Sequence, residues 1–231
     1  MQGTPVFSQT LSVGFGPVFT HTNQRVRMVN SKEDFMNTSA QWMLAYEHQL
    51  KRPENLSVSI MASKYEGATW MRFSEGSYIG SDGFPTLGRG FSGVAITRID
   101  FVFYHNLIAK NRIVFFKPNI GLGVQFSKDL GYEFGNFEWI NGPDYFQLAP
   151  IVAEAYNTVQ VVPILGFKTG VVIWRRIEVG LNVQGVYGFK SYQDMFFDYS
   201  YKGDIQETAI FESKGTGVFA ALSIGYRFKK Q

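Results

Sequence analysis

The sequence predicts an all-β fold: one closed barrel of eight antiparallel strands wound up and down along the chain. Three observations predict it. Apolar residues alternate with small or polar ones at period two in eight successive runs. The connections between runs are alternately short and long. The 231 residues include 22 Phe, 12 Tyr and 24 Gly, a composition that favours strands and turns over helices. All-β barrels often reach this length undivided. No linker or low-complexity tract interrupts the chain, so residues 1–231 read as one domain with a lead at 1–8 and a tail at 229–231.

Each run carries its own alternation. The first sets Leu11, Val13, Phe15, Pro17 and Phe19 against Thr10, Ser12, Gly14 and Gly16. The second places Trp42, Leu44 and Tyr46 opposite Gln41, Met43, Ala45 and Glu47. In the third, Leu56, Val58, Ile60 and Ala62 oppose Ser57, Ser59, Met61 and Ser63. The fourth is less regular, with Ile99, Phe101 and Phe103 against Arg98, Asp100 and Tyr104. The fifth runs from Val114 to Phe126 and sets Phe116, Ile120, Leu122 and Val124 against Lys117, Asn119, Gly121, Gly123 and Gln125. The sixth opposes Val159, Val161, Leu165, Phe167 and Val171 to Gln160, Gly166, Lys168 and Gly170. The seventh opposes Ile177, Val179, Leu181, Val183 and Tyr187 to Glu178, Gly180, Asn182 and Gln184. The eighth sets Val218, Ala220, Leu222, Ile224, Tyr226 and Phe228 against Gly217, Ser223, Gly225 and Arg227. Pro17, Pro118 and Pro163 fall inside runs, where each removes a ladder donor, so either bulges or different strand bounds are expected there.

Runs of roughly ten to fifteen residues exceed the usual ~5–6 of globular strands and match a tilted membrane crossing. Short connections are expected near Lys51–Asn55, Asn106–Asn111 and Trp174–Arg176. Long ones are expected near His21–Asn37, Lys64–Ser92, Lys128–Asn157 and Lys190–Lys214. Three short turns facing four long loops is the pattern of a bacterial barrel with periplasmic termini and extracellular loops. A soluble barrel would present Lys, Glu and Asp outward; here one face is almost unbroken Leu, Val, Ile and Phe. The reading is therefore an integral outer-membrane barrel whose greasy face meets lipid. Export to that membrane requires a signal peptide, and none stands in this sequence, so a mature or shortened form is expected. Trp42, Phe103, Trp174, Tyr187, Tyr226 and Phe228 near run ends fit headgroup-level aromatic belts.

Other classes fit poorly. No stretch reaches the ~18 apolar residues of a membrane-spanning helix. A formal net charge of +3, with its basic residues scattered, argues against nucleic-acid binding. With no Cys and three dispersed His there is no zinc spacing and no thiol nucleophile, and neither metal nor cofactor is expected. Gly121-Leu122-Gly123 is no phosphate loop, since no helix follows it. The outer acids Asp129, Glu133, Glu138 and Asp144 read as solvated, with recruitment of a divalent cation as the alternative.

On these runs, and on the ending Gly225-Tyr226-Arg227-Phe228, the chain resembles the small outer-membrane barrels of the OmpX, OmpW and OmpA-transmembrane type. The resemblance is architectural. It implies that Tyr226 and Phe228 form an aromatic-x-aromatic signal for the barrel assembly machinery, although Lys229, Lys230 and Gln231 follow it here. It also leaves open a narrow channel or a conduit for small hydrophobic ligands.

The candidate site residues lie on the wet face: Glu47, Arg98, Asp100, Lys117, Lys168, Glu178 and Arg227. Counting back from the short turns places Asp100 near Lys117, Glu178 near Arg227, and Glu47 level with Lys168. Matched charges in so narrow a lumen are expected to plug it; an ion path or proton relay is the alternative. His21, at the outer end of the first run, is the one candidate for a lipopolysaccharide-modifying enzyme. The His-x-Ser arrangement of lipid A deacylases is absent, since His21-Thr22-Asn23 stands there instead. The long loops are rich in aromatics, among them Trp70, Phe73, Tyr78, Phe137, Trp139, Tyr145, Phe196 and Phe197. Such loops either cap the barrel or bind a partner. The leading expectation is a non-enzymatic structural or accessory subunit of an envelope complex. Its expected contacts are outer-membrane lipid and lipopolysaccharide, the assembly machinery, and other outer-membrane proteins.

Overall fold

The computed structural model describes residues 7–26, 35–50, 55–71, 88–108, 113–130, 140–141, 145–147, 152–174, 176–201 and 204–229. In chain order the strands are β1 (Phe7–Val26), β2 (Phe35–Gln49), β3 (Leu56–Met71), β4 (Gly88–His105), β5 (Leu107–Ile108), β6 (Val114–Asp129), β7 (Ile140–Asn141), β8 (Tyr145–Gln147), β9 (Val152–Ala155), β10 (Val159–Ile173), β11 (Ile177–Val186), β12 (Gln193–Phe197), β13 (Tyr199–Tyr201), β14 (Asp204–Ile205) and β15 (Ala209–Lys229). Eight of them, β1, β2, β3, β4, β6, β10, β11 and β15, pair antiparallel in that order, and β15 returns to β1 to close the ring. Closure gives every wall strand two neighbours, which is what a strand in hydrocarbon requires, because an unpaired backbone group there costs several kcal/mol.

The period-two pattern sets the faces. Val13, Trp42, Ile60, Phe103, Leu165 and Leu222 are all exposed on the outer wall. Thr10, Ser12, Gln41, Ser59, Asn119 and Asn182 are buried inside. The interior is more apolar than its sequence face suggests. Val18, Tyr65, Ile96, Ile164, Val186 and Phe219 join in one buried cluster toward the loop side. Met43, Met61, Val102 and Tyr104 belong to a second. Both clusters share the interior with the polar side chains.

Three sequence expectations are corrected. The β4–β6 register is centred about three residues later than a turn at Asn106–Asn111 implies, because β5 continues β4 against β6, with Leu107 opposite Phe116. The long connections are shorter than expected: β1 and β2 pair out to Thr22 and Phe35, and β3 and β4 out to Met71 and Gly88. Trp70 thus lies in a strand, opposite Arg89. Finally, Pro17, Pro118 and Pro163 sit in regular register rather than at bulges. Each proline lacks the N–H for one ladder bond, and the Pro163 carbonyl still accepts from the Tyr187 N–H at 3.3 Å. The β1–β15 irregularities fall elsewhere, between Phe7 and Gln9, Thr20 and Thr22, and Gln24 and Val26.

A charge placed on the outer wall separates a membrane barrel from a soluble one. Leu222 is 71% exposed on β15. In water, Leu222→Arg would shift stability by no more than about 0.5 kcal/mol. On a wall facing hydrocarbon it is expected to cost about 2–4 kcal/mol, read from urea unfolding in lipid vesicles.

Candidate functional site

Five of the seven sequence-selected charges meet inside the end of the barrel that carries the short turns. Period-two geometry aims Glu47 of β2, Lys117 of β6, Lys168 of β10, Glu178 of β11 and Arg227 of β15 inward from five strands. Lys117 Nζ lies 2.8 Å from Glu47 Oε1 and 3.9 Å from Glu178 Oε1. Lys168 Nζ bridges the two acids, 3.4 Å from Glu47 Oε2 and in contact with Glu178 Oε1. Arg227 grips Glu178 Oε2 through Nη2 at 2.9 Å and Nε at 3.0 Å. Ser57 Oγ donates to Glu47 Oε1 at 2.7 Å. The expected Glu178–Arg227 contact forms, and Glu47 and Lys168 meet directly.

Asp100 does not reach Lys117 as expected. Arg98, two residues away on the same strand, donates to it through Nε at 2.8 and 3.0 Å. The shifted register is the reason: it sets Asp100 opposite Gly123, six residues from Lys117 along β6. Arg98 Nη2 also donates to Gln184 Oε1 at 3.0 Å, and its guanidinium carbon lies 4.2 Å from the Phe219 ring centroid. Arg98 and Asp100 are each 1% exposed. Gly123 makes room for this pair, since a Cβ there would collide with Asp100 Oδ1. Gly123→Ala is expected to cost about 1–3 kcal/mol by displacing the carboxylate. Measured by denaturant unfolding, that cost should shrink in a background carrying Asp100→Ala.

Phe115 is a site residue that the sequence reasoning missed. Its ring centroid lies 5.0 Å from Lys117 Nζ, 5.8 Å from Lys168 Nζ and 6.0 Å from the Arg227 guanidinium carbon. A ring face attracts cations, so Phe115 supplements two carboxylates that must serve three positive groups. The available signal was its position: it shares the inward parity of Lys117, an aromatic on the wet face. Gly170 and Gly180 border the ring, where a Cβ would meet Phe115 Cζ at 2.8 and 3.1 Å.

The remaining candidates are placed as follows. His21 faces outward on β1, opposite Met36, and no hydrogen bond ties it to a serine or carboxylate among the described residues. Tyr226 and Phe228 point outward on the closing strand with ring centroids 5.2 Å apart, and Arg176 Nη1 donates to the Tyr226 hydroxyl at 3.0 Å. Phe196 is half-buried in β12; Tyr145 and Phe197 lie in β8 and β12. Phe73, Tyr78, Phe137 and Trp139 lie outside the described residues. On the loop side, β12 continues the wall beside β15, with β9 beyond it. Tyr192, Met195 and Phe211 are buried there. The Tyr156 hydroxyl donates to Glu154 Oε2 at 2.9 Å and lies 3.3 Å from Asp194 Oδ2. Desolvation and the bond to Glu154 push the Tyr156 pKa above the usual tyrosine range.

Apolar exterior, closed antiparallel ring and charged interior define a membrane-spanning eight-stranded β-barrel. Its fold is that of the small outer-membrane barrel proteins. It is similar to the outer membrane protein OprG from Pseudomonas aeruginosa, with a TM-score of 0.51 and 10% identity over 100% of both chains. Looser likenesses are Ail, the attachment invasion locus protein of Yersinia pestis, at TM-score 0.38 and 10% identity over 96% of this chain and 100% of that one, and the outer membrane protease OmpT from Escherichia coli, at 0.41 and 10% over 99% and 100%. The chain matches no protein-family model and no curated protein sequence.

Proposed function

We propose that this chain is an integral protein of the bacterial outer membrane, non-enzymatic, and that it serves as a structural or accessory subunit of an envelope complex through its loop side and outer wall. One observation carries the reading. Five interlocked charges meet inside the barrel at the turn end, with Glu178 only 1% exposed. Charges matched in this way inside so narrow a barrel favour work done by surfaces over work done by a pore. The outward His21, which has no proton-transfer partner among the described residues, lends a lipid-modifying reaction no geometric support. Tyr226 and Phe228, displayed on the strand that closes the ring, are suited to reading by an assembly machine.

Co-purification from gently solubilised outer membranes tests the proposal. A stoichiometric partner protein is expected, and a lone monomer under every mild detergent would count against it. In planar bilayers the wild-type barrel is expected to give no conductance steps. Regular steps would favour the narrow-channel reading instead.

A further inference from the structure

The outer wall carries an apolar groove of about 870 Å³ across β4, β6, β10, β11 and β15. Phe101, Phe103, Leu122, Leu165, Tyr187 and Val218 flank it. Its floor lies where the outward positions are small: Pro163, Gly185 and Thr216. The one polar side chain of that floor is already satisfied, because Thr216 Oγ1 accepts from the Gly188 N–H at 3.0 Å and lies 3.3 Å from the Gly188 carbonyl. The groove is dry in character and falls within the ~300–1,000 Å³ typical of ligand sites.

Depth identifies which part of the membrane faces it. From the β10–β11 turn, where Ile173 pairs Ile177, the chain climbs eight residues to Leu165 and Gly185 and ten to Pro163 and Tyr187. At ~3.3 Å per residue and ~35–45° tilt, that height is about 20–25 Å, the upper part of a ~25 Å apolar band. The groove therefore faces the outer leaflet. Tyr187 and Phe189 stand edge to face at its upper margin, with centroids 5.1 Å apart. Just beyond is the exposed Lys190, whose backbone is fixed to β10: its N–H donates to Gln160 Oε1 at 2.9 Å and its carbonyl accepts from Gln160 Nε2 at 3.3 Å. Lys128 is exposed at the outer end of β6.

We propose that this groove holds acyl chains of an outer-leaflet lipopolysaccharide molecule, with Lys190 and Lys128 meeting its phosphates. The inference rests on the outer-membrane reading above and adds a defined lipid site to it. A cavity flanked by large apolar side chains in the outer half of the wall suits a lipid bearing several chains and an anionic head.

The test is native mass spectrometry of the barrel released in mild detergent from vesicles of phosphatidylethanolamine doped with lipopolysaccharide. Wild type is expected to retain one lipopolysaccharide. Gly185→Phe fills the floor, and it is a tolerable change because a Cβ there meets Leu165 O only at 3.5 Å, an ordinary contact. It is expected to lower retention at least fivefold, as is the double variant Lys190→Gln/Lys128→Gln, while Ala62→Phe on β3 leaves retention unchanged. Equal retention by Gly185→Phe, or retention of phosphatidylethanolamine alone, overturns the proposal. Heat-modifiable migration on SDS gels separates the two failures. A barrel that shifts normally but keeps no lipopolysaccharide sinks only the lipid site, whereas a chain that never shifts sinks the membrane-barrel reading beneath it.

Discussion

Glu178→Gln is expected to destabilise the barrel by about 3–5 kcal/mol, the usual result of removing one partner from a buried ion pair. Glu178 is the anion on which Lys168 and Arg227 close, with Lys117 at 3.9 Å. Gln keeps the volume, so the loss isolates charge from packing. The variant leaves Glu47 alone against three cations enclosed by protein. Urea unfolding in vesicles reads the loss as a lower midpoint at unchanged slope. Adding Lys168→Met removes the most tightly coupled of the stranded cations, and the double variant should recover at least half of the deficit. If Glu178→Gln costs under about 1 kcal/mol, the network is screened as surface pairs are and cannot be a plug.

Arg98→Met should be comparably severe, about 3–5 kcal/mol, since it strands Asp100 at 1% exposure with its two guanidinium bonds gone. It also removes the donor to Gln184 and the cation over the Phe219 ring. Met approximates the length of the side chain, so little cavity remains. Adding Asp100→Leu removes the abandoned charge, and that double variant should return to within about 1–2 kcal/mol of wild type, because replacing a whole buried pair by apolar groups is often close to neutral. Failure of the second substitution to rescue would mean that Arg98 acts chiefly by packing against Phe219.

The barrel was legible in the sequence because its cause is local. Each side chain's face follows from parity alone, and Leu11 through Phe19 or Ile177 through Tyr187 declare that parity without reference to any distant residue. The Glu178–Arg227 contact was legible for a related reason, since both sit a few residues from their strand ends, where an error in register has little room to grow. Asp100 shows the limit. Its neighbour on β6 depended on where the preceding hairpin turned, and continuation of β4 through Leu107 and Ile108 replaced Lys117 with Gly123. Phe115 was hidden by composition, because an aromatic inside a polar lumen contradicts the pattern that located the lumen. The buried Val18–Phe219 cluster was hidden in the same way. The loop aromatics were read as unpaired segments, whereas Trp70, Phe196 and Phe197 lie in strands that carry the wall outward.

The long strand β15 joins β1 on one edge, and on its other edge β11 and then β12. Leu11 must therefore wait for Tyr226, a partner from the opposite end of the sequence, before the ring exists. Loop-closure entropy opposes so distant a pairing until late, which makes maturation slow and leaves the β1 edge templating-competent meanwhile. The same strand is held on both edges in the finished molecule, so removing it requires the seam with β1 and the pairing with β11 and β12 to fail together.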